Sequence, residues 1–178
     1  MIKFYIEPGY DVKHPERDFG NGGIDMFIPN KTEAFVEAFN TRNAEQKSYL
    51  ETTDEGDFVV IPAFGRVNIP SGIRSRFDAN IALEAQNKSG IATKLGLVFG
   101  AGLVDSSYKG IIHISLINTS DITVKLPLGM KATQFVPRFI DTSDFSVCIG
   151  NEGMTVEEFY KDFEFTNRGE GAFGSTGV

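Results

Sequence analysis

The sequence predicts an all-β protein, built as a β-barrel or jelly-roll-type sandwich, with one helical insert and a flexible C-terminal tail. Short runs rich in Val, Ile and Phe recur along the 178 residues, and turn-forming Gly, Pro, Asn and Asp residues separate them. Most gaps between the runs are too short for a helix, which favours antiparallel connections over parallel crossovers. The length suffices for one domain with its own core, and we expect that domain to cover residues 1–165.

Nine runs of four to eight residues have the composition of β-strands. In chain order they are residues 24–28, 58–61, 66–69, 77–84, 95–99, 111–118, 122–126, 131–137 and 145–149. Short strands that recur with turns between them are typical of sandwiches and small barrels. Together the runs therefore predict a compact sandwich or barrel.

Two segments have a helical pattern instead. Residues 31–50 place four small or aromatic residues at helical spacing, with charged residues between them: Ala34, Phe35, Ala38 and Phe39. This pattern predicts an amphipathic helix whose Phe side chains pack on the β domain, within an insert of about residues 31–55. The sequence TVEE at residues 155–158 matches a capping box and predicts a short helix through Lys161.

The last residues, 166–178, have no pattern that could pack against a core. Their sequence, TNRGEGAFGSTGV, contains four glycines, one Arg and one Phe. Such a composition predicts a flexible segment, and two interpretations of it stay open. One is a disordered terminus without function. The other is a lid over phosphate groups, because glycine lets backbone N–H groups approach an anion and hydroxyl side chains add donors.

The charge balance argues against a nucleic-acid partner. Seventeen Lys and Arg residues against 24 Asp and Glu residues give a formal net charge of -7, and the pI is near 4.9. A protein of this charge lacks the bulk attraction that drives binding to duplex nucleic acid. Any phosphate group must therefore be held locally, by a few well-placed donors.

Cysteine, histidine and hydropathy exclude further classes. The single cysteine, Cys148, cannot form an intrachain disulfide, and one Cys with two His argues against the usual zinc sites. No apolar run approaches the ~20 residues of a membrane span, and no signal peptide opens the chain. We expect a soluble protein without a membrane partner, in the cytoplasm, or in the host cytoplasm if the source is viral.

The segment most informative about chemistry is residues 100–110, GAGLVDSSYKG, which leads into the predicted strand at 111–118. The pattern predicts a β-hairpin that holds the carboxylate of Asp105 and the phenol ring of Tyr108 at one mouth. Small residues at 100–102 would let a planar ligand lie against bare backbone. Taken alone, Asp-Ser-Ser is also a common turn sequence.

Three further segments carry polar residues in unusual places. Residues 87–92 offer Lys88, Ser89 and the N–H group of Gly90 to an anion. Residues 128–135 place Gln134 in an otherwise apolar strand, and residues 22–26 place Asp25 in a strand after two glycines. Each pattern is weak by itself, and an isolated in-strand Asp is usually a structural hydrogen-bonding residue.

Taken in order, the segments resemble the five motifs of the all-β dUTP pyrophosphatase (dUTPase) family. The matching sequences are GGIDM, NKSGIA, GLVDSSYKG, GMKATQF and RGEGAFGSTG, and they span residues 22–177. The resemblance implies an enzyme of nucleotide metabolism that hydrolyses dUTP to dUMP and pyrophosphate. It also implies a homotrimer whose active sites are shared between subunits, with Mg²⁺ held by the substrate phosphates and water.

The resemblance also implies a role for single residues. Asp105 matches the residue that activates the attacking water, Tyr108 the ring under the deoxyribose, and Gly102 the backbone that contacts uracil. Four residues match phosphate contacts: Lys88, Ser89, Gly90 and Gln134. In the tail, Arg168 matches a phosphate contact and Phe173 matches the ring that covers uracil. The clamp on the terminal phosphates is matched by Gly174, Ser175 and Thr176. Asp25 is assigned to the outer shell of the Mg²⁺ ion.

Four features depart from the family pattern. Lys88 stands where the second motif usually has Arg, which keeps the charge but loses bidentate geometry. Met130 replaces an acidic residue in the fourth motif, and Ala172 replaces a glycine in the fifth. The insert at residues 31–55 lies outside the pattern. These departures concern the phosphate contacts and the trimer surface rather than the reaction.

Two other functions were weighed. The related dCTP deaminases share the fold but need a catalytic Glu where this chain has Ser115, so the proton shuttle for deamination is missing. Ammonia release from dCTP would reveal such an activity. The second alternative is a dUTPase scaffold that acts mainly as a regulatory protein-binding module, with the helical insert as the partner surface. Deletion of residues 32–55, with hydrolysis and partner capture both measured, would separate the two functions.

Overall fold

The structure, a computed structural model, describes residues 1–141 together with Thr155, Glu158 and Lys161. The chain divides into two compact units, residues 1–142 and 143–178. The elements described in the first unit are, in chain order, β1 (Lys3–Ile6), β2 (Ile24–Phe27), α1 (Glu33–Arg42), β3 (Tyr49–Thr53), β4 (Gly56–Ile61), β5 (Arg66–Pro70), β6 (Ile73–Arg76), β7 (Ile81–Gln86), α2 (Ser89–Leu95), β8 (Leu97–Phe99), β9 (Leu103–Val104), β10 (His113–Asn118), β11 (Val124–Pro127) and β12 (Lys131–Phe139).

Within residues 1–141 the strands form four antiparallel sheets. Their strand orders are β1-β6, β5-β10-β8, β11-β4-β3 and β2-β12-β7-β9. The predicted all-β class is confirmed, although the described strands do not close into a barrel. The strands instead cover one core, which they share with α1.

The four-stranded sheet positions most of the candidate site. In this sheet β12 lies between β2 and β7, so that Gln134 stands opposite Asp25 and Gln86. The next residue, Phe135, is buried and stands opposite Ile24 on β2. Because neighbouring side chains of a strand point to opposite faces, the Gln134 row and the Phe135 row lie on opposite faces of the sheet.

Helix α1 packs into the core as predicted. Thr32 caps its N-terminus, with the side-chain oxygen accepting a hydrogen bond from the N–H of Phe35 at 3.2 Å. Phe35 and Phe39 are fully buried, with ring centroids 5.9 Å apart, and Tyr10 contacts Phe35 edge-on. The Phe face is therefore covered by the protein itself, and a partner at this helix would meet only its polar face.

The extent of the predicted helical insert was wrong. The helix ends at Arg42 because the buried side chain of Asn43 bonds the backbone of Asn68 on β5. Residues Tyr49–Thr53 form strand β3, which pairs with β4 through a turn. Deletion of residues 32–55 would remove two core Phe residues and this strand, so it is not a clean test of partner binding.

Other strand boundaries also differ from the sequence prediction. The run 77–84 is not one strand, because a turn in which Ile81 N–H donates to the carbonyl of Asp78 separates β6 from β7. Leu95 belongs to α2, which ends at Gly96 with a left-handed φ of 64°. Five elements were missed: β1, β3, β6, β9 and α2. All are short. In addition, β1 pairs with β6 and β9 pairs with β7, and both partners are distant in the sequence.

Of the second unit, the described residues contain the predicted capping box. The N–H of Thr155 donates to the Glu158 carboxylate at 2.8 Å, and the N–H of Glu158 donates to the Thr155 hydroxyl oxygen at 3.2 Å. The predicted capping box is confirmed, whereas most of the predicted helix through Lys161 lies outside the described residues. The predicted strand at 145–149, the boundary at 165–166, Cys148 and the tail lie outside the described residues. None of the described helices is long and apolar enough to cross a membrane.

Candidate active site

A pocket of about 190 Å³ opens beside the segment 100–110. Asp105 and Tyr108 both line it, as the sequence predicts, together with Leu103 of β9. Residues that sequence analysis did not select as site residues also line it: Arg42, Asn68, His113, Ser115 and Phe135. For three of them the sequence signal was their position in the strands. His113 and Ser115 are alternate residues of β10, and Asn68 stands opposite Ser115 on the paired strand β5.

Backbone hydrogen bonds hold the segment 100–110 in place. The N–H of Gly100 donates to the carbonyl of Ser115 at 3.0 Å, and the carbonyl of Gly102 accepts from the N–H of Ala85 at 2.6 Å. A turn follows, in which Tyr108 N–H donates to the Asp105 carbonyl at 3.1 Å. The backbone near Gly102 is therefore fixed before any ligand binds, which is the preorganisation that a base-binding segment needs.

The ring of Tyr108 is held against Gly110. Its hydroxyl donates to the carbonyl of Ile111 at 2.9 Å. A Cβ atom at Gly110 would lie 2.5 Å from Cζ of the ring, so only glycine allows this contact. The Tyr108 residue remains 42% exposed. Its position is thus fixed, while part of its surface stays free to contact a ligand.

Asp105 and His113 give the pocket its ionisable groups besides Arg42. The Asp105 carboxylate is exposed and makes no ion pair or hydrogen bond with another described residue. Burial, followed by the charge of Arg42, lowers the pKa of His113, so this imidazole is neutral at pH 7. Asp105 is therefore the carboxylate in the pocket that is free to bind a water molecule.

A second group of predicted residues surrounds Asp25. Its Oδ1 atom lies 2.6 Å from Nζ of Lys88, and its Oδ2 atom lies 2.9 Å from Nζ of Lys131. Glu16 binds the other side of Lys131 at 2.8 Å and also pairs with Lys13. Burial would raise the pKa of Asp25, but hydrogen bonds from the two lysines outweigh it and lower that pKa. Asp25 is thus ionised and orients Lys88.

The phosphate contacts predicted beside Lys88 lie at the start of α2. Ser89 and Gly90 occupy the first turn and are exposed, where helical N–H groups lack intrahelical partners. Gln134 lies next to them through Asn87, whose carbonyl accepts from its amide at 3.4 Å. Gly23 leaves the space that Gln134 occupies, because a Cβ there would lie 2.4 Å from Oε1.

The chain therefore brings its predicted residues together in two groups. The first group contains Asp105 and Tyr108, which line the pocket, and Gly102, which lies in the chain between the lining residues Ala101 and Leu103. The second group contains Asp25, Lys88, Ser89, Gly90 and Gln134. The pocket is lined by Phe135, whereas the second group includes Gln134, on the opposite face of β12. Arg168, Phe173, Gly174, Ser175 and Thr176 lie outside the described residues, and their roles stay predictions.

Among the described residues, no three Asp, Glu, His or Cys side chains cluster as metal ligands would. Both oxygens of Asp25 already accept from lysine ammonium groups. A cation at this carboxylate would have to displace two positive charges, so Asp25 does not fit a direct metal ligand. The outer-shell role assigned to it stays a prediction.

The family can now be established from comparison with known proteins. A family model described as dUTPase matches residues 54–177, more than half of the chain. The chain belongs to the dUTPase family. The predicted family and the predicted enzyme class, a hydrolase of the dUTPase type, are confirmed. The match begins after the first predicted motif, at residues 22–26, and includes the segments around Lys88, Asp105 and Gln134.

Curated dUTPases of diverse origin are similar to this dUTPase chain. The deoxyuridine 5′-triphosphate nucleotidohydrolase of Paramecium bursaria Chlorella virus 1 is 32% identical over 120 residues, which are 67% of this chain and 77% of the relative. The protein of the same name from Solanum lycopersicum is 28% identical over 177 residues, 94% of this chain and 88% of the relative. The second alignment thus includes the insert and the first motif region.

Solved dUTPase structures share the fold. The dUTPase of Staphylococcus bacteriophage 80alpha with dUpNHpp superposes with a TM-score of 0.68 at 19% identity, and covers 100% of this chain and 99% of its own. The dUTPase of Streptococcus mutans has a TM-score of 0.58 at 20% identity, with 80% of this chain and 98% of its own covered. These values establish the fold of the dUTPase chain.

Substitution of Gly90 separates folding from ligand binding in this dUTPase. A Cβ atom at Gly90 would meet no atom within 4 Å, and alanine favours a helix over glycine by about 0.5–1 kcal/mol. We expect Gly90→Ala to keep or raise the melting temperature and to lower kcat/KM, because the added methyl group keeps a phosphate from the N–H group. An unchanged kcat/KM would remove Gly90 from the binding site. Gly56→Ala, at a φ of 132°, is the contrasting control that should lower stability instead.

Proposed function

We propose that this dUTPase hydrolyses dUTP to dUMP and pyrophosphate with a water molecule activated by Asp105, at sites shared between the subunits of a homotrimer. The observation that carries the proposal is the free carboxylate of Asp105 beside the fixed ring of Tyr108 in one pocket. A carboxylate without a protein partner can bind water, and a ring with an exposed face can support a sugar.

The proposed reaction is an in-line displacement at the α-phosphorus. The water oxygen forms a bond to this phosphorus while the bond to the bridging oxygen breaks and pyrophosphate leaves. Asp105 holds the water within about 3.5 Å of the phosphorus and takes its proton. The face of Tyr108 orients the deoxyribose, and the backbone near Gly102 contacts the uracil.

Binding of the triphosphate falls to the second group of residues. Lys88 supplies a positive charge, and Asp25 holds it in position. The N–H groups at Ser89 and Gly90 and the amide of Gln134 add donors, which stabilise the charge that develops on the phosphates. Arg168 is assigned a further phosphate contact. The acidic net charge of the protein is no obstacle, because these donors act locally.

We propose Mg²⁺ as the cofactor, held by the substrate phosphates and water rather than by a protein cluster. This assignment agrees with the described residues, since they contain no group of metal ligands. A solved mutant dUTPase of phage phi11 of S. aureus contains a structural Mg(II) ion. When bound to the triphosphate, Mg²⁺ would neutralise part of its charge.

Pyrophosphate release from a panel of nucleoside triphosphates tests the activity. We expect dUTP to be the preferred substrate, with a much lower kcat/KM for UTP, since the ring of Tyr108 crowds a 2′-hydroxyl group. dCTP should react poorly, because its amino group is mismatched with the hairpin donors. Comparable kcat/KM values for dUTP and UTP would refute the role given to Tyr108. Ammonia release from dCTP would instead favour the deaminase alternative, against which Ser115 in the pocket argues.

Shared sites explain why one chain places its two groups of residues on opposite faces of β12. Mixing two inactive variants tests this. Asp105→Asn and a Lys88→Ala Gln134→Ala double variant should each have little activity. If each site takes Asp105 from one subunit and Lys88 from another, a site in a mixed trimer is intact when both of these subunits carry the unchanged residue. Random mixing produces this combination in about one site of four, so the mixture should recover about a quarter of the wild-type activity. No recovery on mixing, with trimer exchange verified, would show that one chain supplies the whole site.

A further inference from the structure

Helix α1 of the insert brings a cation to the pocket. This cation, Arg42, is not part of the family motifs. Arg42 is the basic residue in the last turn of α1 and lines the pocket with Asp105 and Tyr108. It is exposed, and its side chain makes no ion pair or hydrogen bond with another described residue. The ordinary explanation for Arg at this place is the helix dipole, but that role does not require a pocket.

The end of α1 is fixed in this position. Asn43, directly after Arg42, is 4% exposed. Its amide donates to the carbonyl of Asn68 at 3.0 Å, and its oxygen accepts from the N–H of Asn68 at 2.9 Å. The same amide also donates to the carbonyl of Phe39 at 2.9 Å. These bonds attach the helix to β5 at a residue that itself lines the pocket, so the start of the Arg42 side chain is held beside the cavity.

Two opposite charges therefore line one pocket without forming an ion pair. Arg42 and Asp105 form no salt bridge, so the guanidinium nitrogens of Arg42 and the carboxylate oxygens of Asp105 are more than 4.0 Å apart. The positive charge nevertheless acts inside the pocket, where it contributes to the lowered pKa of His113. A cation and an anion held apart in this way suit a reaction in which the cation binds an anionic group of the ligand while the anion binds a neutral water molecule.

We propose that Arg42 is a nucleotide-binding residue that contacts the phosphate attached to the 5′-oxygen of the deoxyuridine. This inference rests on the proposed function, in which Asp105 orients water at the same phosphorus. The guanidinium group donates to the non-bridging phosphate oxygens, which are the acceptors that arginine binds best. The insert thereby supplies a cation beside the reacting phosphate, on the pocket side of the site, whereas Lys88 lies in the other group.

Binding of deoxyuridine and dUMP by titration calorimetry tests the proposal, because these ligands differ only in the phosphate. Four proteins are compared: wild type, Arg42→Ala, Arg42→Lys and Arg76→Ala. Arg76 is an exposed arginine of β6 outside the pocket, also without a described side-chain partner. We expect Arg42→Ala to weaken dUMP binding by about ten- to a hundredfold and to leave deoxyuridine binding unchanged. Arg42→Lys should retain part of the affinity, and Arg76→Ala all of it.

The outcomes separate this inference from the function on which it rests. If the wild type binds both ligands and Arg42→Ala binds dUMP equally well, the Arg42 contact is refuted. A lower melting temperature of Arg42→Ala with unchanged dUMP affinity would assign the residue to the helix dipole alone, and would refute the contact as well. If the wild type binds neither ligand, the proposed function fails first. Equal weakening of deoxyuridine and dUMP would place Arg42 at the base or sugar and overturn the phosphate assignment.

Discussion

Replacement of Asp105 by Asn is expected to lower kcat for dUTP hydrolysis by about 10²–10⁴-fold, which is the usual contribution of a positioned general base. The amide is nearly isosteric with the carboxylate but cannot take a proton from water. Because the Asp105 carboxylate has no described partner in the protein, its loss breaks no ion pair. The melting temperature and the affinity for a non-hydrolysable dUTP analogue should therefore stay close to those of the wild type.

Asp121→Asn is a matched control for this experiment. Asp121 is an exposed carboxylate in the loop before β11, away from the pocket, and its replacement should leave kcat unchanged. Turnover of Asp105→Asn within a few-fold of the wild type would remove Asp105 from the mechanism. A loss of analogue binding equal to the loss of kcat would instead assign this residue to substrate binding.

Truncation after Asn167 is expected to remove most of the activity while the protein stays folded. The deleted residues include Arg168, to which we assign a phosphate contact, and Phe173, the ring assigned to cover uracil. Stacking of a base on an aromatic ring is worth about 1–3 kcal/mol, and a hydrogen bond to a charged group about 1.5–3 kcal/mol. If both contacts form with substrate, kcat/KM should fall by at least about a hundredfold.

Two further measurements locate this effect in the tail. Phe173→Ala should have a kcat/KM between those of the wild type and the truncated protein, because it removes only the stacking contact. The melting temperature without nucleotide should be the same for all three proteins, since the tail composition offers no apolar pattern for a core. Wild-type kcat/KM in the truncated protein would leave residues 168–178 as a terminus without function.

Much of the fold followed from local sequence patterns. The strands Arg66–Pro70 and Lys131–Phe139 correspond to the runs predicted at 66–69 and 131–137, whose β-branched and aromatic residues lie between turn residues. The Phe35 and Phe39 pair predicted a helix face, and the capping box at Thr155 and Glu158 was predicted from two residues three positions apart. In these last two cases the interacting residues are neighbours in the sequence, so the pattern itself contains the contact.

Two of the strands that were missed depend on distant partners. Strand Lys3–Ile6 pairs with Ile73–Arg76, and the two-residue strand Leu103–Val104 pairs with Ile81–Gln86. The prediction of a helix through residue 50 was wrong because Tyr49–Thr53 form a strand that pairs with β4 across a turn. Such pairings depend on tertiary context, which overrides weak local preferences.

For the site, the sequence by itself predicted which residues carry the chemistry, because the motif order around Lys88, Asp105 and Gln134 follows that of the family along the chain. Only the tertiary structure decided how these residues are grouped. It placed Gln134 and the Asp105 pocket on opposite faces of β12, held Lys88 against Asp25, and brought Arg42 of the insert to the pocket. The physical reason is that the faces of a sheet and the end of a helix are set by strand register and long-range hydrogen bonds, which a linear pattern does not specify.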